Sequence, residues 1–116
     1  MNYPIHEDDR GYFQEIARER DLRHSIKQVS IFTIKSGKTR GDHYHNKLIE
    51  TFIVLEGNCM VSIFDENFTK ELFMSVGDCV TIFPKKQHKF YTEVHCKMLS
   101  LASEEFNKDD PDVFKY

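Results

Sequence analysis

Short strand-like runs, separated by turn residues, fill almost the whole chain of 116 residues. β-branched and aromatic residues alternate with polar ones in these runs, and such period-two alternation is typical of strands. Many short strands at regular spacing predict an all-β sandwich or barrel. Helix is expected only as short turns at 103–105 and 110–111. The runs that we predict as strands are 12–17, 27–35, 39–46, 49–56, 58–64, 70–75, 78–83, 88–92 and 94–101.

Several of these strands are apolar on both faces. In one of them, Thr51, Ile53 and Leu55 oppose Phe52 and Val54. A strand that is apolar on both sides of a small domain needs a second surface to pack against. We therefore expect a homodimer built sheet against sheet. The alternative is that the termini of the same chain cover this face.

Length and charge narrow the class of protein. A chain of 116 residues predicts one domain over 1–116. Its 16 basic and 19 acidic residues give a net charge of −3 without a basic block, so nucleic acid is not an expected partner. No apolar stretch is long enough to cross a bilayer and 1–20 has no signal-peptide pattern, so we expect no membrane association. The cysteines are odd in number and widely spaced, which predicts a reduced, cytoplasmic location: Cys59, Cys79 and Cys96.

The segment from Gly37 to Gly57 concentrates residues that can bind a metal. His43 and His45 are two positions apart, so on a strand both imidazoles project from the same face. Glu50 lies near the start of the next run and shares the parity of its inward positions, Phe52 and Val54. Two imidazoles and a carboxylate suit a divalent metal such as zinc, iron(II), manganese or nickel. The alternative is a hydrogen-bonded polar cluster inside the barrel.

The same segment resembles the first sequence motif of the cupins, glycine-x5-His-x-His-x(3,4)-Glu-x6-glycine, at every position. The second cupin motif is matched more loosely, by Gly77, Pro84, His88 and Thr92. The resemblance implies a jelly roll, also called a double-stranded β-helix. It also implies that His88 is a fourth metal ligand beside the two histidines and the glutamate.

A second set of recognition groups lies near the N-terminus, at Arg10, Phe13 and Glu15. The arginine offers a fixed cation for a phosphate, the phenylalanine a ring for stacking, and the glutamate an acceptor for a base or sugar. We expect Arg10 and Gly11 to form a turn, with Phe13 and Glu15 on one face of the strand that follows. The alternative is an ordinary hairpin turn with one core phenylalanine.

Together these features resemble three groups of nucleotide-sugar enzymes. The stretch 10–15 resembles that of the dTDP-4-dehydrorhamnose 3,5-epimerases, in which the matching arginine, aromatic and acid hold the nucleotide. The segment 40–45 is similar to the Arg-Gly-x-His-Tyr segment of those epimerases and to the Arg-Gly-x-His-Ala-His segment of the dTDP-sugar 3,4-ketoisomerases. That segment and the tail 104–114 are most similar to the cupin domain of bifunctional capsular-polysaccharide proteins.

The resemblance implies an epimerase or isomerase that acts on a nucleotide-linked 4-keto-hexose in surface polysaccharide biosynthesis. In the capsular proteins the cupin domain carries zinc and epimerises C3 of a UDP-4-keto sugar, which implies zinc as the metal here. Glu50 is a further resemblance to these metal-bearing capsular proteins, because the 3,4-ketoisomerases usually lack an acid at this position. Arg10 and Arg40 are then expected to contact the pyrophosphate.

The chemistry leaves two mechanisms open. Removal of a proton next to a ketone requires stabilisation of the enolate and a base within hydrogen-bond reach. In a metal-assisted mechanism the four ligands hold the ion, and Tyr91 or Lys38 carries the proton. In a metal-free mechanism His43 is the base, by similarity to the rhamnose-pathway epimerases. Two other classes remain as alternatives: an iron-dependent dioxygenase, and a non-catalytic sensor cupin that binds a metal or a sugar.

Overall fold

The structure is a computed structural model that describes residues 3–115. Within that range one short helix, α1, covers Glu19–Leu22, and no helix has the length and apolar character needed to cross a membrane. The strands are β1 (Ile5–Asp8), β2 (Gly11–Gln14), β3 (Gln28–Ile34), β4 (Thr39–His43), β5 (Glu50–Glu56), β6 (Asn58–Phe64), β7 (Thr69–Ser75), β8 (Cys79–Ile82), β9 (Gln87–Tyr91) and β10 (Cys96–Ala102).

Eight strands form two four-stranded antiparallel sheets. The first sheet has the order β3-β10-β5-β8, and the second has the order β4-β9-β6-β7. Strands β1 and β2 form a separate hairpin. The inward faces of the two sheets bury one apolar core, which comprises Ile34, Phe52, Val54, Cys59, Val61, Met74, Ile82, Phe90, Cys96 and Met98.

Strand β10 shows how alternation produces this core. Its residues Cys96, Met98, Ser100 and Ala102 are buried, while the residues between them are partly exposed on the outer face. The strand pairs with β3 on one side and with β5 on the other. Ser100, the one hydroxyl in this inward row, therefore faces the interior of the barrel.

The predicted strands correspond to β2 through β10, with ends that differ by at most three residues. The prediction omits β1, because the residues of Ile5–Asp8 show no apolar alternation and all four are exposed. It also omits α1. The helical turns expected at 103–105 and 110–111 are wrong, since the chain there forms only bends and irregular turns.

The β1–β2 hairpin lies outside the core. The side chains of Ile5, Tyr12 and Phe13 are 56%, 66% and 66% exposed. Its base meets the barrel where Gln14 lies directly over Gly77, in the turn between β7 and β8. A two-stranded hairpin is only marginally stable in water by itself. Apart from the contact at its base, the hairpin leaves these three side chains open to another surface.

The outer face of the first sheet is apolar, in agreement with the two-sided sequence pattern. Val29 and Ile31 on β3 are 60% and 61% exposed, and they pair with two leucines of β10. The β5–β8 part of this face carries the segment that follows α1, where His24 Nε2 lies 2.8 Å from Thr51 Oγ1. The chain's own segment thus covers one half of the face and leaves the β3–β10 half open.

Candidate active site

Three histidines converge at one end of the barrel. His43 ends β4, His88 lies on the neighbouring β9, and His45 follows β4 in the connection to the other sheet. One ring nitrogen of each lies within 4.8 Å of the other two, and the ring centroids are 4.9, 5.0 and 5.4 Å apart. His45 and His88 are buried, whereas His43 is half-buried. The structure thus brings together the three histidines that were predicted as ligands.

A β-bulge in β4 directs His43 to this cluster. Gly41 and Asp42 both have positive φ, 95° and 68°, and the register against β9 shifts between Gly41 and His43. Glycine adopts positive φ freely, and aspartate is one of the few other residues that tolerate it. A Cβ on Gly41 would lie 3.1 Å from the His88 carbonyl oxygen. The bulge ends β4 before its predicted boundary and leaves His43 paired with His88.

Backbone carbonyls orient the two buried rings. His45 Nδ1 is hydrogen-bonded to the carbonyl oxygen of Asp112, and His88 Nδ1 lies 3.0 Å from the carbonyl oxygen of Lys86. Because a carbonyl only accepts, each Nδ1 carries a proton, and in the neutral ring each Nε2 keeps its lone pair. Metal-binding histidines in proteins are oriented by the same kind of contact.

Glu50, the first residue of β5, stands beside His45. One carboxylate oxygen accepts a hydrogen bond from the Ser100 hydroxyl at 2.9 Å, and the other lies 3.0 Å from His45 Nε2. That Nε2 is buried and has no hydrogen bond of good geometry to residues 3–115, so the approach is an electrostatic contact. A neutral His45 would direct its lone pair at the carboxylate. A second proton on the ring, or a cation between the two groups, relieves this repulsion.

Burial and charge shift the pKa values at the site in opposite directions. Burial lowers the pKa of His88 to about 4 and also lowers the pKa of His43. Burial acts in the same sense on His45, but the contacts with Glu50 and Asp112 outweigh it and raise the pKa of His45. Burial disfavours the ionised form of Glu50, yet the contact with His45 outweighs it and lowers the pKa of Glu50. At neutral pH, His43 and His88 are therefore neutral bases.

The depressed pKa of His88 predicts acid sensitivity of the metal-free protein. Below its ordinary value of 6.5 the unfolded chain binds a proton at this residue, and the folded chain does so only near pH 4. Stability is therefore lost as the pH falls from 6.5 to 4, by about 3 kcal/mol from this residue alone. Denaturant unfolding across this pH range measures the effect. His88→Gln, which cannot titrate, is expected to show a shallower slope, and equal slopes would contradict the prediction.

The donor set fits a divalent metal. His45 and His88 present fixed Nε2 atoms, and the Glu50 carboxylate lies against one of them. Mixed imidazole and carboxylate donors suit zinc, iron, manganese and nickel. The His43 ring is less constrained, because neither of its nitrogens is hydrogen-bonded to another residue of the described chain. A bound metal stays a prediction that the chemistry of these donors supports.

Two openings reach the histidines. The larger is a cleft of about 710 Å³, which His43, His45 and Glu50 line together with the C-terminal segment. The smaller is a pocket of about 210 Å³, and its lining consists of Phe32, Arg40, Gly41, His43, Glu50, Phe52, His88 and Phe90. The larger volume is typical of a small-molecule site. His43 and Glu50 line both openings, so a ligand in either one can reach them.

Of the predicted substrate contacts, Arg40 lies near the histidines. It pairs with the inward-facing Phe90 and lines the smaller pocket. Its guanidinium carbon lies 5.6 Å from the Phe32 ring centroid, and its Nε donates to the Thr33 carbonyl at 3.3 Å. A guanidinium at the mouth of an aromatic pocket suits an anionic group such as a phosphate.

Arg10, Phe13 and Glu15 lie on the β1–β2 hairpin or just after it. Arg10 forms the expected turn at the exposed tip and pairs with Asp8 at 2.6 Å. Phe13 is 66% exposed, so the alternative of a core phenylalanine is wrong. Glu15 falls after the end of β2 and pairs with Arg18 at 2.7 Å. The expectation that Phe13 and Glu15 share one strand is therefore also wrong.

These N-terminal residues do not meet the histidine cluster of their own chain. The hairpin base contacts Gly77, whose N–H donates to the carbonyl of Val54. Val54 lies four residues along β5 from Glu50, which corresponds to about 13 Å in a strand. The base of the hairpin therefore lies well along β5 from Glu50, and the surface around Arg10 and Phe13 shares no lining residue with either opening at the histidines.

Tyr91 and Lys38 are also remote from the cluster, which corrects their predicted place at the barrel mouth. Tyr91 follows the inward-facing Phe90, so it points outwards, where it is 41% exposed. Lys38 precedes β4 at the opposite end, where its carbonyl accepts the Thr92 N–H at 3.2 Å. The length of β4 therefore separates Lys38 from His43.

Sequence reasoning missed two residues of the site, Ser100 and Asp112. Ser100 could have been found as the one polar residue in an otherwise apolar inward row of β10. Asp112 gave no comparable signal, because its partner His45 lies 67 positions earlier in the chain. Only its place in the tail that resembles the capsular proteins pointed to it.

Known proteins that resemble the chain are nucleotide-sugar enzymes. The chain is 32% identical over 111 residues to the TDP-4-oxo-6-deoxy-alpha-D-glucose-3,4-oxoisomerase of Aneurinibacillus thermoaerophilus, covering 89% of this chain and 76% of the relative. It is 30% identical over 118 residues to the UDP-2-acetamido-2,6-beta-L-arabino-hexul-4-ose reductase of Pseudomonas aeruginosa, covering 96% of this chain but only 30% of that longer protein. The solved 3,4-ketoisomerase QdtA from Thermoanaerobacterium thermosaccharolyticum, in complex with TDP, matches with a TM-score of 0.82 at 25% identity, over 99% of this chain and 84% of that chain.

Fold and relatives together define a cupin-type enzyme of the nucleotide-sugar isomerase and epimerase class. Residues 6–114 match the family described as the polysaccharide biosynthesis C-terminal domain. The chain belongs to this family. The predicted all-β cupin jelly roll, and the resemblance to sugar isomerases and capsular-polysaccharide proteins, are confirmed.

Proposed function

We propose that the chain isomerises or epimerises a nucleotide-linked 4-keto-6-deoxyhexose in surface polysaccharide biosynthesis, by removing the proton on C3. The observation that carries this proposal is the position of His43. It is a neutral, half-buried imidazole that lines both openings and shares the smaller pocket with Arg40. The isomerase at 32% identity, whose name specifies a 4-oxo-6-deoxyglucose linked to TDP, supports this class of substrate.

His43 is the general base of this reaction. A base must be unprotonated at the working pH and within reach of the proton it removes. Burial lowers the pKa of His43 and keeps the ring neutral. The electron pair of the C3–H bond moves to the C4 oxygen, and the resulting enolate is stabilised by cationic and hydrogen-bonding groups of the pocket. Protonation of C3 on the opposite face, by a donor other than His43, gives the epimer. Delivery of the proton from His43 to C4, with transfer of the C3 hydroxyl proton to the C4 oxygen, gives the 3-keto isomer.

His45, His88 and Glu50 are the residues that would hold a divalent metal, zinc in the first place, beside this base. Such an ion supplies Lewis-acid stabilisation of the developing negative charge. A ring nitrogen of His43 also lies within 4.8 Å of one on each of the other two histidines, so His43 is the alternative ligand. The fixed Nε2 atoms of His45 and His88, and the carboxylate that faces one of them, support the assignment made here. His43 is then left free to exchange protons, and Arg40 binds the diphosphate at the pocket mouth.

The enzyme works as a homodimer in the cytoplasm. The open half of the outer face, with Val29 and Ile31, offers each copy an apolar surface for the other. The exposed hairpin carries Arg10 and Phe13, which have no role at the histidines of their own chain. In a dimer these residues reach the site of the partner and contribute a cation and a stacking ring for the nucleotide.

Solvent exchange tests the proposed reaction. Incubation with dTDP- or UDP-4-keto-6-deoxyglucose in deuterated water is expected to place deuterium at C3 of the epimer or of recovered substrate, or at C4 of the 3-keto isomer, as measured by mass spectrometry and proton NMR. Removal of metal by a chelator is expected to slow the exchange without abolishing sugar binding. No exchange with tight binding intact, whatever metal is supplied, would contradict the proposal and favour a sensor. Oxygen consumption with iron(II) would instead indicate a dioxygenase.

A further inference from the structure

We infer that Asp112 is the positioning residue of His45. Its carboxylate binds the loop that follows His45, and it thereby holds its own carbonyl oxygen at His45 Nδ1. This contact leaves Nε2 as the nitrogen that His45 directs into the cluster. The inference rests on the proposed function only in assigning that nitrogen to a metal.

The carboxylate of Asp112 is hydrogen-bonded to the loop after His45. It accepts backbone N–H groups from three consecutive residues, Asn46 at 2.7 Å, Lys47 at 2.8 Å and Leu48 at 2.9 Å. Both carboxylate oxygens are used in these contacts. Hydrogen bonds to an ionised acceptor are stronger than those between neutral groups. One side chain thus fixes the course of the main chain immediately after the histidine.

The residue before His45 is tied to the same segment. Tyr44 and Phe114 exchange two backbone hydrogen bonds, at 2.8 and 2.9 Å, and their ring centroids lie 5.7 Å apart. The C-terminal segment therefore holds the chain on both sides of His45. The Asp112 side chain makes one attachment and Phe114 makes the other, so the Asp112 carbonyl between them has a fixed position at the ring.

The carbonyl determines which ring nitrogen is available. It can only accept a hydrogen bond, so His45 Nδ1 must carry a proton. In a neutral ring, Nε2 then has the lone pair, and this atom is the one that lies 3.0 Å from Glu50. Without the contacts that Asp112 makes, the His45 ring is free to rotate or to exchange tautomers. Its Nε2 lone pair is then no longer held in the direction of the cluster.

Nitrogen-15 NMR of the metal-free protein tests the inference. The pH is set above the titration of His45, because the contacts with Glu50 and Asp112 raise the pKa of this ring above that of an ordinary imidazole. Wild type is expected to show His45 protonated on Nδ1, whereas Asp112→Ala is expected to show the other tautomer or a mixture. Zinc affinity, measured by competition with a chromogenic chelator, is expected to fall about 10–100-fold, the usual effect of losing a group that orients a metal ligand. Asp110→Ala, on the same segment but without these contacts to the loop, is the control and should change neither result.

Asp112→Asn covers the case in which the alanine variant does not fold. Its amide keeps one acceptor oxygen, so intermediate losses in both measurements are expected. A lower melting temperature with an unchanged tautomer and unchanged zinc affinity would show a purely structural role and overturn the inference. If wild type binds no zinc, the proposed metal site fails, and the tautomer alone decides the role of Asp112.

Discussion

Replacing His43 by asparagine is expected to slow the entry of solvent deuterium at C3 by about 10²–10⁴-fold, the contribution of a well-placed general base. Asparagine retains a polar side chain of similar reach but cannot accept a proton at neutral pH. The ring it replaces is neutral and faces both openings. Rates of C3 exchange under saturating sugar measure this loss directly.

The metal content of the same variant distinguishes a base from a ligand. If His43 is the base, elemental analysis should find as much metal in His43→Asn as in wild type. Tyr91→Phe and Lys38→Gln serve as controls, since both residues lie away from the cluster, and they should exchange within about twofold of the wild-type rate. Normal exchange in His43→Asn would refute its role as base. Loss of the metal together with the exchange would assign His43 to the ligands instead.

Periodicity predicted the two sheets well because the burial of a strand has a period of two. Cys96, Met98 and Ser100 face the core and the residues between them do not, and the sequence shows the same alternation. The β1–β2 hairpin lacks a buried face within this chain, so β1 left no such pattern and was omitted. Local periodicity thus detects strands only where a core exists to select their residues.

The site was predictable where its residues are close in sequence. His43, His45 and Glu50 fall within one motif, and His88 was added by the second cupin motif. Tyr91 was misplaced although the sequence held the correction, because a residue three positions after an inward-facing one lies on the other face of a strand. The contacts of Asp112 with His45 and the loop after it could not be predicted from spacing, because they depend on how the C-terminal segment packs against a loop far away in the sequence.

Mixing two inactive variants is expected to restore activity if the hairpin serves the partner's site. One variant carries Arg10→Ala with Phe13→Ala and retains its histidines, and the other carries His43→Asn and retains its hairpin. Random reassortment makes half of the dimers mixed, and each mixed dimer has one intact site of two. Recovery of about a quarter of the wild-type exchange rate is therefore expected.

A matched mixture of variants tests whether the restored rate comes from sites shared between the two copies. The matched mixture pairs the His43→Asn variant with a His88→Gln variant, so that both parents are defective in the histidine cluster. Each mixed dimer then has one defective histidine in each of its two sites, and no activity should return. Ile31→Lys buries a charge in the proposed contact between copies, and adding it to both parents should abolish the recovery because dimers no longer form. Size-exclusion chromatography verifies the mass of each species.

If the hairpin and the histidines of one chain serve the same site, every mixed dimer carries a defect in both sites. Persistent inactivity of properly mixed dimers would therefore refute the shared site, while leaving His43 as the base.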